Sequence, residues 1–365
     1  MIVACIFFLL LYSASICWLI YGYSKIPDYS TSIVLPKTKF SIVVPFRNEA
    51  ENLPNLLNSF SGLNYPEVLF EVILVNDASE EKFYVDEFLF SIRIVNNTRV
   101  SNSPKKDAIT TAIAIANCEW IVTTDADCTV NPEWLTTLDA FIQEKSPEMV
   151  AGSVTYTTGN SFLHHFQQLD IASLQGATIG SFGLNKGFMC NGANFAYSKS
   201  FFQKLGGFAG NNDLASGDDV FLLQKAIAQF PGKVHFLKSV QNIVFTKPEN
   251  SWKSLFHQRV RWAAKTVSYK SDFGKLLGLV VFFGNLFWIL SFVYFILEAF
   301  PLYALPMIVL KLMVDFILIK KTNSFLGNKM QYFLPASFLY PVFSVLVALY
   351  SVFGKYEWKG RTFRK

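Results

Sequence analysis

Two apolar blocks bracket a middle in which short apolar runs alternate with mixed stretches. Residues 2–21 carry no charge and are long enough to span, since a hydrocarbon core takes about 20 apolar residues of helix. The second block, residues 276–354, contains further candidate spans at 276–297, 302–319 and 332–353. Between the blocks, apolar β-branched runs at 40–45, 70–75, 92–95 and from Trp120 predict four strands. Helical spacing near 51–60, and Pro104 opening a run through Ala116, predict the helices between them. This βαβα rhythm predicts an α/β domain, a mostly parallel sheet with helices on both faces. Beyond Met149 the pattern loosens into a strand at 149–157, a helix at 161–175, a Gly- and Asn-rich region at 176–192 and a helix at 220–228.

Residues 251–270 stand apart. Trp252, Phe256, Val260, Ala263 and Val267 recur at spacings of three and four, with Lys253, Arg259, Arg261, Lys265 and Lys270 mostly off that stripe. A helix in the headgroup plane has this pattern, and so does a surface helix packed on its own domain. The expected organisation is therefore a transmembrane anchor at 1–23, a Pro-containing linker at 24–39, the α/β domain at 40–250, an amphipathic helix at 251–272, a transmembrane region at 273–354 and a basic tail at 355–365.

The first block lacks a basic n-region, and its small triplet Ser13-Ala14-Ser15 lies inside the run, so an uncleaved anchor is expected over a signal peptide. In 302–319, Lys311 and Asp315 are four apart and able to pair on one helix face. Lys320, Lys321 and Lys329 mark one side of 332–353 as cytoplasmic, and Lys355, Lys359, Arg361, Arg364 and Lys365 mark the other side the same way. One crossing cannot join two cytoplasmic ends. Either 332–353, interrupted by Pro335 and Pro341, is a kinked hairpin or interfacial element, or one basic cluster misleads.

Composition supports a membrane reading: 52% of the 365 residues are hydrophobic and only 16% charged, against roughly 25% charged in an ordinary soluble domain. The expectation is a multi-pass protein of an inner or plasma membrane with its middle in the cytoplasm. The five cysteines form no C-x-x-C pair and have no His at ligand spacing, which argues against a zinc site or disulfide framework and for a reducing compartment. A net charge of +5 suits anionic lipid and phosphate but is too small to argue for nucleic acid.

The chemistry centres on Asp125-Ala126-Asp127, which follows the fourth strand. Ligands of open α/β sheets sit beyond the carboxyl ends of strands, and two carboxylates there suit Mg²⁺ or Mn²⁺ with phosphate completing the shell. Four other stretches fit beside it. Pro45-Phe46-Arg47-Asn48-Glu49 closes the first strand and Asn76-Asp77-Ala78-Ser79 the second. Lys105 and Lys106 open a helix, where ammonium groups and the helix N-terminus both favour phosphate. Gln258, Arg261 and Trp262 put an amide, a fork that matches a diphosphate and a flat face for a sugar close together in sequence.

With Asn191-Gly192-Ala193-Asn194 and Gly217-Asp218-Asp219 added, the order of motifs resembles the family 2 glycosyltransferases, which include cellulose, hyaluronan and chitin synthases. The resemblance covers roughly residues 40–262, and its Q-x-x-R-W pentad is the most specific element. It implies a GT-A fold and an inverting, metal-dependent transfer from a nucleoside-diphosphate sugar, a UDP-sugar first among them, to a lipid or glycan acceptor. It assigns Pro45, Arg47, Glu49 and Asp77 to the nucleotide, Asp125 to its diphosphate side and Asp127 to the metal. Asn191, Gly192, Asn194 and Trp262 fall to the acceptor, Gln258 and Arg261 to the diphosphate, and Asp219 to the general base.

Two departures stand out. Pro104-Lys105-Lys106-Asp107 replaces the usual Gly-Lys-Gly, leaving open which lysine meets phosphate, and Gly-Asp-Asp replaces Glu-Asp, leaving Asp218 as a rival base. A processive polysaccharide synthase, a nucleotidyltransferase and an inactive nucleotide-sugar-binding module are the competing readings.

Overall fold

The computed structural model describes residues 2–30, 34–82, 84–157, 159–211, 217–297, 304–353, 356–358 and 361–363. Helices are numbered α1–α11 and strands β1–β12 along the chain. The chain forms two compact units: one comprises Met1–Ile26, Thr158–Phe188 and Pro248–Arg364, the other Pro27–Thr157 and Met189–Lys247.

The second unit holds the sheet. β1 (Phe40–Phe46), β2 (Phe70–Asn76) and β4 (Trp120–Thr123) are almost wholly buried, as continuous apolar runs covered on both faces should be. With β3 (Ser91–Asn96), β6 (Met149–Gly152), β8 (Phe195–Ser198) and β9 (Val234–Leu237) they form a seven-stranded sheet in the order β3-β2-β1-β4-β8-β6-β9. β8 runs antiparallel to β4 and β6, and the other pairings are parallel. The chain builds outward from β1 to β3 and then returns to place β4 on the other side of β1. Such a reversal opens a crevice at the carboxyl ends of the two strands. Phe46 lies opposite Asn76, and Val43 opposite Thr123, so the segments that follow β1, β2 and β4 leave from one edge.

α2 (Leu53–Ser61), α3 (Pro104–Ile115) and α4 (Trp134–Lys145) belong to this unit. Trp134 is fully buried and stacks on Phe60 at 6.2 Å. The strand expected at 149–157 breaks at Ser153. Its second half, β7 (Val154–Tyr156), pairs instead with β10 (Val244–Thr246), which also holds β5 (Cys128–Val130). The amide of Val244 donates to the Ser153 carbonyl and marks the switch between sheets.

The first unit is helical: α1 (Ile2–Lys25), α5 (Phe162–Gly183), α8 (Trp252–Ala264), α9 (Asp272–Leu297), α10 (Ala304–Phe325) and α11 (Phe333–Phe353). The expected Gly-rich segment from Gly176 is helical to Gly183. A Cβ on Gly180 would lie 2.4 Å from the Leu19 carbonyl oxygen, and one on Gly183 1.8 Å from that of Gly22. The glycines let two helix backbones touch, the use small residues have in helix pairs. Residues 158–188 thus group with the helices and not with the sheet, unlike the 40–250 division expected from the sequence.

The hairpin alternative for 332–353 is overturned. α11 is one continuous helix, with Pro335 in its first turn, where a missing N–H costs no helical bond, and Pro341 inside it. Ile2–Lys25, Asp272–Leu297 and Phe333–Val352 are long and apolar enough to cross a membrane. α10 is not among those three; its Lys311 pairs with Asp315 at 2.7 Å, and the Tyr12 hydroxyl donates to the same carboxylate at 2.6 Å. Of the basic tail, Tyr356–Trp358 and Arg361–Phe363 pair as an antiparallel ribbon, while Lys355, Lys359, Arg364 and Lys365 lie outside the described residues.

Candidate active site

At the shared edge, Arg47 donates to the carbonyls of Asp77 (3.0 Å) and Ala78 (2.6 Å) and pairs with Glu80 at 3.0 Å. It therefore ties the turn after β1 to the turn after β2. Asn48 (φ 52°) and Ala78 (φ 54°) both adopt left-handed backbone there, a strain that the cross-links Asn48 N–H to Ser79 Oγ and Glu80 N–H to Asn48 Oδ1 hold in place. Asp77 is buried and accepts from Asn97 Nδ2 at 2.7 Å and Arg99 at 3.4 Å. Arg99 also lies 3.4 Å from Asp107, whose carboxylate accepts the N–H groups of Val100 and Ser101. The sequence reading missed Asn97 and Arg99. The signal was the polar cluster Asn96-Asn97-Thr98-Arg99, which begins at the last residue of β3 on the same sheet edge as the other strand ends. Glu49 accepts from Asn52, which in turn accepts from Lys247. Pro45 is the penultimate residue of β1.

The carboxylates converge on one lysine. Lys105 Nζ lies 2.6 Å from Asp125 Oδ1 and 3.6 Å from Asp218 Oδ2. Burial pulls the pKa of Lys105 down, but Asp125 and Asp218, with Asp219 behind them, outweigh it and hold the group well above the usual lysine range. Lys106 goes elsewhere: it is buried, donates to the Asn211 carbonyl at 2.6 Å and sits over the Phe221 ring. Of the two lysines, Lys105 is the one in the carboxylate cluster.

α7 (Asp218–Gln229) begins at this cluster, entered through Gly217 in left-handed backbone (φ 83°), while residues 212–216 before it lie outside the described residues. Asp218 is buried and Asp219 half-buried. Asp219 accepts from the backbone N–H of Gly192 (2.9 Å) and of Val220 (2.7 Å). Gly192 is wedged in: a Cβ there would meet Asp218 Oδ2 at 3.2 Å and Lys105 Nζ at 3.4 Å. Thr123, the last residue of β4, donates to the Gly192 carbonyl at 2.6 Å. The Asp125, Gly192 and Asp218-Asp219 segments therefore meet at one place.

Asn191 turns inward on its own segment, accepting from the Ala193 N–H at 3.0 Å. Asn194 is held inside the unit. It is 4% exposed, donates to the carbonyls of Ser153 and Asn242, and accepts from the Trp134 indole at 3.1 Å. Its amide braces the interior at the junction of the two sheets.

Asp125 and Asp127 are both half-buried. The buried Cys128 thiol lies 3.7 Å from Asp127 Oδ1 and is pushed well up by burial first and then by Asp127 and Asp125. No group of three or more His, Cys, Asp or Glu suited to a metal occurs among the described residues. Two hard carboxylate donors fit a cation that takes most of its shell from substrate phosphate, and they do not fit a metal caged by protein alone.

Gln258, Arg261 and Trp262 lie on α8 in the helical unit. Gln258 donates to Glu249 at 2.8 Å, while Arg261 and Trp262 are half-buried. The expected stripe is displaced on this helix: Leu255, Arg259 and Val260 are its buried residues and Trp252 is exposed.

Residues 41–206 match the family model for glycosyl transferase family 2. That stretch is similar to the family 2 glycosyltransferases. The chain is 25% identical over 236 residues to a probable glycosyltransferase, YdaM, of Bacillus subtilis, covering 62% of this chain and 54% of that one. It is also 29% identical over 116 residues to the poly(ribitol-phosphate) β-N-acetylglucosaminyltransferase TarS of Staphylococcus aureus, covering 31% of this chain and 20% of TarS. The chain thus spans about half the length of the first relative and a fifth of the second. Among solved structures, the mannosyltransferase PcManGT of Pyrobaculum calidifontis, in complex with GDP-Man and Mn²⁺, superposes with a TM-score of 0.53 at 18% identity, over 93% of this chain and 96% of that one. That likeness agrees with the mixed α/β, GT-A type fold with its mostly parallel sheet. The chain carries its D-x-D, Gly192 and Gly-Asp-Asp segments around Lys105.

Proposed function

We propose that the chain is an inverting, metal-dependent glycosyltransferase of a membrane, moving a sugar from a nucleoside-diphosphate sugar to a membrane-associated lipid or glycan acceptor. The observation that carries this reading is the convergence of Asp125, Asp218 and Asp219 on Lys105 beside Gly192. Asp127 and Asp125 would hold a divalent cation, and PcManGT, which shares the fold, carries Mn²⁺ with its GDP-Man. A divalent cation bound there neutralises diphosphate charge and makes it a better leaving group.

The protein's own groups do the rest. The Lys105 ammonium adds a fixed positive charge beside Asp125 for the donor's phosphates. Asp77, held by Asn97 and Arg99, presents a carboxylate for base or ribose, with Pro45, Arg47 and Glu49 as its neighbours in the nucleotide pocket. By the family pattern Gln258 and Arg261 serve the diphosphate, and Gly192, Asn191 and Trp262 the acceptor. Asp219 takes the proton from the acceptor hydroxyl oxygen as that oxygen attacks, a contribution of typically 10²–10⁴-fold. Attack from the face opposite the departing diphosphate inverts the anomeric carbon. Three membrane-length helices support an integral membrane location, and the scattered cysteines support a cytoplasmic catalytic unit.

Two measurements test this. A screen of UDP-, GDP- and dTDP-sugars with Mg²⁺ or Mn²⁺ should release nucleoside diphosphate, not pyrophosphate, with a UDP-sugar as the expected donor. Asp219→Asn should abolish transfer and leave nucleotide binding nearly intact; wild-type turnover in that variant would show that the base is another group.

A further inference from the structure

The second residue of the Gln258-Arg259-Val260-Arg261-Trp262 pentad has no role in the reading above, yet it is the most buried charged group on α8. Arg259 is 5% exposed, and its Nε lies 2.5 Å from Oδ2 of Asp170, which is itself 5% exposed on α5. Its other groups are engaged as well. One terminal nitrogen donates to the Gln258 side-chain oxygen, and the guanidinium carbon sits 4.2 Å from the centre of the Trp262 ring. A second strut starts one turn earlier on α5. Gln167, with no exposed surface, donates to the Glu249 carbonyl at 2.9 Å and accepts from the Glu249 N–H at 2.8 Å. The Glu249 carboxylate then accepts from Gln258 Nε2 at 2.8 Å.

We infer that Asp170, acting through the Arg259 guanidinium, is a positioning residue that fixes the Gln258 amide and the Trp262 ring for donor and acceptor. This deepens the reading of the pentad given above and rests on it. The physical case is the planar fork. An arginine can spend its Nε on a carboxylate, a terminal nitrogen on an amide and its face on an indole at once, whereas an ammonium offers a point charge with no plane. Burying such a pair is a poor way to gain stability, because desolvation offsets the attraction. What it does give is a single geometry for the two side chains that Arg259 touches.

The test uses the full-length chain in detergent, read by nucleoside-diphosphate release from whichever member of the UDP-, GDP- and dTDP-sugar set turns over with Mn²⁺, and by thermal unfolding. Asp170→Asn and Arg259→Met should each lower kcat on the order of 100-fold, the loss a displaced reacting group can cause. Gln258→Ala and Trp262→Ala should fall comparably. Arg259→Lys keeps a cation for Asp170, so it should unfold at the wild-type temperature yet turn over like Arg259→Met. The double variant Asp170→Asn/Trp262→Ala should lose less than the product of the two single losses, because the clamp has lost one of the two side chains it positions.

Wild-type turnover in Asp170→Asn and Arg259→Met, with Gln258→Ala and Trp262→Ala inactive, overturns the clamp and leaves the pentad's roles standing. A fully active Arg259→Lys, or a double variant slower by the product of the single effects, also overturns it. If Gln258→Ala and Trp262→Ala themselves turn over normally, the reading of the pentad is wrong and the clamp falls with it.

Discussion

Replacing Lys105 with methionine removes the ammonium that lies between Asp125 and Asp218 while keeping most of the side-chain volume. At separations of 2.6 and 3.6 Å, the two attractions are roughly 6 and roughly 5 kcal/mol at an effective dielectric of about 20. Desolvation of the ammonium cancels much of that sum in the wild type. The variant nevertheless leaves carboxylates behind, and stripping one partner from a buried pair costs about 3–5 kcal/mol. Asp218 is buried and bears the full penalty, whereas the Asp125 side chain is 38% exposed and water relieves part of its share. We therefore expect a loss of about 3 kcal/mol, which for a unit of this size lowers the unfolding temperature by about 6–12 °C.

Mn²⁺ supplies the second half of the experiment. In the wild type a cation reaching Asp125 has to compete with Lys105, while in Lys105→Met it meets uncompensated carboxylates. A ligand that binds the folded state stabilises it by mass action, so Mn²⁺ should raise the unfolding temperature of Lys105→Met by more than it raises that of the wild type. Differential scanning fluorimetry with and without Mn²⁺, alongside nucleotide release, reads both effects. A variant that unfolds at the wild-type temperature, with the same Mn²⁺ increment, would show that Lys105 is not the counter-charge of this cluster.

Three further outcomes follow from the geometry. Asn194→Ala should behave as a core defect and not as an acceptor-site defect: the Trp134 indole and two carbonyls lose their partner, at about 1–3 kcal/mol for each group left unsatisfied. KM for the acceptor, measured well below the unfolding temperature, should stay unchanged. Glu71 sits at the opposite end of the sheet, where burial pushes its pKa up but Ser41, the Asn117 N–H and Arg93 together hold it below the ordinary glutamate value. Its contribution is therefore present above the ordinary glutamate range and lost as pH falls through the lowered folded value. Glu71→Gln should cost roughly 2 kcal/mol near neutrality, a difference that shrinks on acidification in a pH series of unfolding temperatures. Asp218→Asn should weaken donor binding by releasing Lys105 from one of its two anchors, with a milder loss of kcat than Asp219→Asn. Equal kcat losses in the two variants, at unchanged donor KM, would remove the distinction between these carboxylates.

The central strands were legible because β1, β2 and β4 are buried on both faces, and burial on both faces forces the continuous β-branched runs that a reader sees first. The polar segments at their ends were legible because ligands of open α/β sheets sit beyond the carboxyl ends of the strands. What could not be read depended on contacts distant in sequence. Gly176 to Gly183 has the composition of a loop, and glycine alone disfavours helix by about 1 kcal/mol per residue. Only the closeness of neighbouring helices, α1 with Gly22 against Gly180 and Gly183 and α10 with Leu318 and Thr322 against Gly176, makes glycine the fitting residue there. Arg259 was read as part of a polar face because spacing along α8 says nothing of Asp170, 89 positions earlier. The ties of the Asn194 amide to Ser153, Asn242 and Trp134 likewise join residues far apart in the chain.

The Gly-Asp-Asp segment shows how burial divides work between neighbours of identical chemistry. Asp218 and Asp219 open the same helix, where the dipole favours either carboxylate. Asp218 is buried and lies within ion-pair reach of Lys105, so its charge is already spent on the donor-side cluster. Asp219 is the more exposed of the two, and its oxygens are aimed by backbone N–H groups, one from Gly192 and one from Val220. Backbone donors of that kind are held by the fold itself, so the carboxylate stays in place. A group that must meet an incoming hydroxyl needs both accessibility and a fixed position, and of the two only Asp219 has them.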